Sequence, residues 1–466
     1  MGAVLDVGQV NWNSIDPVRI GYVDELSAPL VLWIGIRPDS QVPYEVNYSV
    51  AAKCKALIVA HGIKDVEVEM RKSWLVELDG PKPKLLQPAD DNDPTVVARR
   101  PFTCTLGTPI CAQSTSWAQG TAGFFISERG NDDKVYFVTA RHVVLPRSQG
   151  KPYDNKHYER KFNSQRPSHV MIFNQSSFGE YLDSIQDEID GQDDFIEYHS
   201  GRVSMTGNRQ DEDSVEDRQD AQAKVRSAEE KKIHLANFRR ELSIQWGGED
   251  SRILGHIIFS PPVAFGVGNG KYTRDLAVIA VDTSRIDPTK FIGNAIDLGF
   301  KFWYPKLTKI MRSHPVNSER FLFPVDRLLR LHGTIPEEEI RHPDKLDRDP
   351  AGCLIVLKLG GTTGLTIGRA NNVFSYTRRD KFSENNSGDS MEWAILPFDH
   401  SSGAFSAAGD SGSAIVDGTG RIGGLLTSGS GATDSIDVTY ATPIDFVLET
   451  IRSSEPLSKA YLKPSQ

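Results

Sequence analysis

The chain has 466 residues, 39% of them hydrophobic and 25% charged, a composition of globular proteins with room for two or three domains. A formal charge of −9 supplies no general attraction to phosphate backbones, which argues against nucleic acid as a partner. No stretch is long and apolar enough for a membrane helix, and the segment Met1 to Asp6 lacks both the basic-then-apolar run of a secretory leader and the serine or threonine of a myristoylation site, so no membrane partner is expected.

Residues 1–80 read as a small α+β unit. Leu30 to Ile36 is an apolar run of buried-strand type, and Pro43 precedes Val46, Val50, Cys54, Leu57 and Ile58 at helical spacing. Gly62 suits the end of that helix, after which Val66, Val68 and Met70 alternate with Glu67 and Glu69 as in a half-exposed strand. The β-α-β order predicts a small open-faced sandwich serving as a structural module or a docking site for a protein partner. A sheet that binds RNA would need interleaved aromatics and positive charge, which this segment lacks. Residues 81–100, rich in Pro and Asp, read as an extended, solvated linker.

From residue 101 short strands follow: Pro109 to Ala112, Thr121 to Ile126, and, after a turn over Gly130 to Asp133, the β-branched run Val135 to Val144. His142 stands where that last strand should end. It is either a packing residue or a base. A long stretch then separates it from Asp275, and within this stretch residues 205–245 are dense in charged and polar residues. Val225, Ala228, Ile233, Leu235 and Phe238 are their few apolar points, which predicts an exposed helical insertion or a lid. Asp275 enters the apolar run Leu276 to Val281. A carboxylate there either opens a strand as a turn residue or needs a buried hydrogen-bond donor, such as an imidazole N–H. Residues 300–350 carry helical patterns around Tyr304 to Met311 and Pro336 to Arg341. In Ala408-Gly409-Asp410-Ser411-Gly412-Ser413-Ala414 a serine sits between glycines just before an apolar strand. An ordinary turn uses the same residues, but the glycines also permit tight turns in which the amides of Gly409 and Ser411 converge on an oxyanion.

The order His, Asp, Ser excludes an α/β-hydrolase, which would run Ser, acid, His with G-x-S-x-G, and a subtilisin-like enzyme, which would run Asp, His, Ser. The chain resembles the chymotrypsin-like (trypsin-fold) serine peptidases in Thr139-Ala140-Arg141-His142, Asp275-Leu276-Ala277-Val278 and Gly409-Asp410-Ser411-Gly412. Lys358 to Gly368 is similar to the family's K-x-G-x-T-G-x-T-x-G hairpin, and Val438 to Ile444 to its last strand running into a terminal helix. The resemblance spans roughly residues 101–455 and implies a mainly β fold: two six-stranded antiparallel β-barrels with helical insertions, here preceded by the small α+β domain.

The resemblance further implies a serine endopeptidase that cleaves a protein or peptide substrate through an acyl-enzyme, with no metal and no organic cofactor. His142 would be the base, Asp275 its orienting carboxylate, Ser411 the nucleophile, and the amides of Gly409 and Ser411 the oxyanion hole. The family register places Phe405 at the floor of the primary specificity pocket and Thr427, Ser428 and Gly429 along the wall that pairs with substrate. With no carboxylate at that floor, no preference for Arg or Lys before the scissile bond is expected. In secreted relatives the aspartate preceding the serine pairs with a freed amino terminus. Here the resemblance begins only after residue 100, so Asp410 needs an internal Lys or Arg, or backbone donors. The sparse cysteines Cys54, Cys104, Cys111 and Cys353 favour a reducing compartment and, with the missing leader, an intracellular, cytoplasmic protein; Cys104 and Cys111 read as buried thiols. Two other readings stand beside the peptidase: a catalytically silent or latent peptidase fold acting as a scaffold, and an esterase using the same triad.

Overall fold

The computed structural model describes residues 1–21, 28–37, 42–73, 82–147, 154–160, 167–207, 209–312, 314, 321–346, 352–379, 388–431 and 437–463. Pro81, the head of the expected linker, lies outside the described residues. The chain divides into two compact units, Met1–Pro81 and Lys82–Gln466.

In the first unit Trp12–Arg19 runs antiparallel to Leu30–Ile36, which pairs in parallel with Val66–Lys72 across the helix Tyr44–Ala60. A parallel pair demands such a crossover, and the helix supplies it with Val50 and Cys54 turned onto Ile34 and Ile36. Gly62, with φ +86, closes the helix as its position suggested.

In the second unit the strands Leu354–Gly360, Gly364–Ala370, Asp389–Pro397, Val438–Pro443, Ile422–Ser430 and Ala414–Asp417 pair antiparallel and return on themselves, closing a six-stranded barrel. The other sheet orders Ala460–Leu462, Phe124–Glu128, Asn131–Thr139, Ala277–Val281, Ile253–Ser260, His169–Ile172, Pro109–Ala112 and Gln119–Thr121. Its first member had no counterpart in the sequence reading: after the terminal helix Ile444–Arg452 the chain comes back to pair with Phe124–Glu128. The architecture is mainly β, one closed six-stranded antiparallel barrel and a second strand-rich sheet whose strand order does not close among the described residues, with helical insertions and a small N-terminal α+β region.

Two elements differ from expectation. Residues 82–100 are not a solvated linker. Leu85 is buried and its N–H donates to the Arg285 carbonyl at 2.8 Å, while the buried Arg285 guanidinium donates to Pro83 O at 2.7 Å. The charged insertion, for its part, begins earlier than residue 205. It is a hairpin of two long helices, Gln175–Thr206 and Glu212–Trp246, each opened by a side-chain cap in which Asn174 and Asp211 accept from the amides of Ser177 and Ser214. Buried positions Phe178, Ile185, His199 and Thr206 on one helix, and Ala221, Ala228, Leu235 and Leu242 on the other, recur at heptad spacing, the seam of an antiparallel coiled coil.

An aromatic cluster roots this hairpin on the barrel. The Phe102 ring lies 4.9 Å from Trp246, 6.3 Å from Phe178 and 5.9 Å from Tyr181, centroid to centroid. Trp246→Ala therefore removes the second helix's hold on the Phe102 ring, which also contacts the first helix. It is expected to cost about 3–5 kcal/mol, read as a lower urea midpoint, whereas the exposed Ile233→Ser on the same helix stays within about 0.5 kcal/mol.

Candidate active site

The strand Asn131–Thr139 ends at Ala140, and one short turn of helix, Arg141–Val144, carries His142. Arg141 anchors that turn from beneath: its buried guanidinium donates to Ser260 O and Oγ, both at 2.9 Å, and to Lys156 O at 2.8 Å. Asp275 lies in the two-residue gap between Tyr272–Arg274, which belongs to the second sheet, and Ala277–Val281, which belongs to the first. The structure brings these two residues together. Asp275 Oδ2 stands 2.6 Å from His142 Nδ1, and Oδ1 accepts the His142 backbone N–H at 3.1 Å.

The carboxylate is 5% exposed and the imidazole 40%. Burial opposes charge on both, and their mutual attraction outweighs it, so the His142 pKa stands above the usual imidazole value and that of Asp275 below the usual carboxylate range. With Nδ1 committed to the carboxylate, Nε2 is the ring nitrogen left to take up a proton.

Ser411 sits on the loop before Ala414–Asp417, and its backbone is packed against the histidine strand. The Ser411 carbonyl accepts the Thr121 N–H at 2.8 Å. A Cβ on Gly412, whose φ is +92, would fall 2.2 Å from Thr139 Oγ1 and 3.1 Å from Ala140 N, two residues before His142. No hydrogen bond links Ser411 Oγ to His142 Nε2, a contact that is commonly long without substrate. The amides of Gly409 and Ser411 have no acceptor among the described residues. Their carbonyls are held from behind, that of Ser411 by Thr121 N–H and that of Gly409 by Thr121 Oγ1 at 2.9 Å.

Asp410 is fully buried on an equally buried lysine. Lys358 Nζ lies 3.0 Å from its Oδ2, and the same carboxylate accepts from Thr363 Oγ1 (2.7 Å), Ala407 N–H (3.0 Å), Thr362 N–H (3.0 Å) and Thr363 N–H (3.1 Å). Burial pulls the Lys358 pKa down to about 8, partly offset by the carboxylate it faces. The sequence marked Lys358 only as part of a hairpin motif, and Thr121 not at all, because a bridging threonine has no local signature.

The residues expected to line the substrate cleft divide. Ser428 and Gly429 lie toward the outer end of the strand Ile422–Ser430, half-buried and exposed respectively, while Thr427 is buried. Ser428 Oγ accepts a bond from Arg379, whose guanidinium also pairs with the fully buried Glu392 at 3.5 Å. Phe405 is 1% exposed, with its ring over the Lys358 ammonium at 5.7 Å. It is a core residue covering the ion pair and not an open pocket floor, since its aromatic face does more by shielding that charge than by facing solvent. Cys104 and Cys111 are buried thiols as expected, and burial pushes Cys111 up to about 12. Among the described residues no group of His, Cys, Asp or Glu is arranged to hold a metal ion, and no helix is long and apolar enough to cross a membrane.

Removing one member of the Lys358–Asp410 pair strands a charge in the core. Lys358→Met is expected to cost about 3–5 kcal/mol in chemical denaturation, and Lys358→Met with Asp410→Asn to recover part of that loss.

No protein-family model and no curated protein matches the chain. Among solved structures it is similar to a glutamic-acid-specific serine protease (12% identity over 74% of this chain and 96% of that one, TM-score 0.31). It is likewise similar to the Nocardiopsis protease NAPase (12% identity, 74% and 95% covered, TM-score 0.29). A third is the Rv3671c protease of M. tuberculosis in its active form (11% identity, 84% and 96% covered, TM-score 0.28). The mainly β fold expected from the motifs agrees with the closed antiparallel barrel and second strand-rich sheet found after residue 81.

Proposed function

We propose that this protein is a serine endopeptidase working through the triad His142, Asp275 and Ser411. The observation that carries the reading is the buried Asp275 carboxylate bonded to both Nδ1 and the backbone N–H of His142, which orients the ring and leaves Nε2 as the base. Ser411 Oγ attacks the scissile carbonyl as Nε2 accepts its proton, and the imidazolium is stabilised by Asp275, which keeps its own negative charge. The developing oxyanion is taken by the two unclaimed amides of Gly409 and Ser411, each contributing about 3 kcal/mol in sites of this type. His142 then protonates the leaving amine, and water repeats the sequence to release the acyl group. On the acyl side the buried Phe405 supplies no carboxylate, which supports the expectation that Arg and Lys are poor residues before the bond.

A fluorophosphonate probe should label the folded protein and fail on Ser411→Ala; absence of labelling in well-folded wild type would refute the proposal. The pH profile adds a second check. Activity needs neutral His142, so kcat/KM rises with pH through a value above the ordinary imidazole pKa of about 6.5, because Asp275 favours the imidazolium. Asp275→Asn should move that limb to lower pH and reduce kcat about 10⁴-fold.

A further inference from the structure

We propose that the root of the helical insertion forms a subsite for a lysine or arginine side chain on the leaving-group side of the scissile bond, an inference that rests on the peptidase reading. A cavity of about 520 Å³ opens directly beside Gly409. One wall comes from the strand Gln119–Thr121 at Gln119 and Gly120, and another from the first turns of the helix Gln175–Thr206, with Ser177, Glu180 and Tyr181. Trp117, whose indole is 61% exposed, lines it as well.

The walls are tied together. Gln119 Nε2 donates to Ser177 Oγ at 2.7 Å, Asn174 Nδ2 to Ser116 O at 2.8 Å, and Tyr181 OH to Ala98 O at 2.8 Å. Thr427, Ser428 and Gly429, the acyl-side wall, do not line this cavity. A peptide whose carbonyl oxygen rests on the Gly409 amide, with its acyl portion along that wall, carries its departing segment over Gly409 and into the cavity. At about 3.3 Å per extended residue, the first two residues after the bond reach it.

Glu180 is the one charged side chain on the lining, and its carboxylate is met by a single hydroxyl, Ser176 Oγ at 3.1 Å. A carboxylate and an exposed indole on the lining of one cavity suit a cationic side chain, whose stem would lie on the ring while its charge meets the acid.

The test uses peptides that share the acyl sequence cut best in a library and carry Lys, Ala or Glu at the first or second position after the bond. Lysine is expected to exceed glutamate about fivefold to tenfold in kcat/KM, the combined worth of one partly exposed ion pair and one cation–π contact. Glu180→Lys should invert the preference, and Trp117→Ala should weaken it without inversion. An anilide of the same acyl sequence, too short to enter the cavity, separates the two claims. Turnover of the anilide with no lysine preference, or a preference that survives Glu180→Lys, overturns the subsite alone. If folded protein cleaves neither anilide nor peptides, the peptidase reading falls and the subsite with it.

Discussion

The buried pair of Lys358 and Asp410 is the constraint on which the site depends. Two charges taken wholly out of water are costly, and they persist in a core only where each is paired and its remaining hydrogen-bonding capacity is met. Asp410 meets that condition with the ammonium, one hydroxyl and three backbone amides. All but the Ala407 amide come from one hairpin, Leu354–Gly360 turning into Gly364–Ala370, so the serine loop can satisfy its carboxylate only by docking on that turn. The fit leaves no slack. A Cβ on Gly360 would fall 2.2 Å from Asp410 Oδ1, and one on Gly409 would fall 2.2 Å from Thr362 Oγ1. The loop's shape is thereby fixed from within the barrel.

A second clamp reaches the same loop from the other sheet. Thr121 donates its amide to Ser411 O and its hydroxyl to Gly409 O, accepts from the Gly361 N–H at 2.9 Å, and takes the Thr139 hydroxyl on its own carbonyl at 2.8 Å. One threonine thus holds both carbonyls of the tract, leaves both amides unclaimed, and connects them to the strand that presents His142. Asp275 is placed by topology. It occupies the point where the chain passes from the one sheet into the other, which gives its carboxylate a buried seat between them without interrupting a ladder.

The features legible in the sequence were those with local signatures. The β-α-β unit was marked by Leu30–Ile36 and by the spacing of Val50 and Cys54, the hairpin at Lys358 by its glycines and threonines, and His142, Asp275 and Ser411 by their position at the ends of apolar runs. Heptad positions 221, 228, 235 and 242 were equally visible, but Ala at the first two has too little apolar weight to stand out from the surrounding charge, and Gln192 and His199 on the facing helix conceal the seam. Long-range choices had no local sign. Neither the return of Ala460–Leu462 to Phe124–Glu128 nor the burial of Phe405 over Lys358 follows from the residues nearby, because each depends on a partner far along the chain.

The helical hairpin sits where the barrel can accept it. It leaves after His169–Ile172 and returns at Ile253–Ser260, two strands that pair antiparallel, so it replaces the short turn of a β-hairpin whose ends are already adjacent. Because the two ends are fixed by the sheet, lengthening the connection costs only the slowly growing entropy of a longer loop, and the coiled-coil seam offsets it. A helix of 32 residues extends about 48 Å at 1.5 Å per residue, so most of its length is remote from the barrel. Only the first turns, pinned through Asn174, Ser177 and Tyr181, border the serine loop. That division agrees with the seam of the insertion: aromatic and apolar at its root, where Phe178 and Trp246 pack on Phe102, and small or hydrogen-bonding beyond, at His199, Thr206, Ala221 and Ala228.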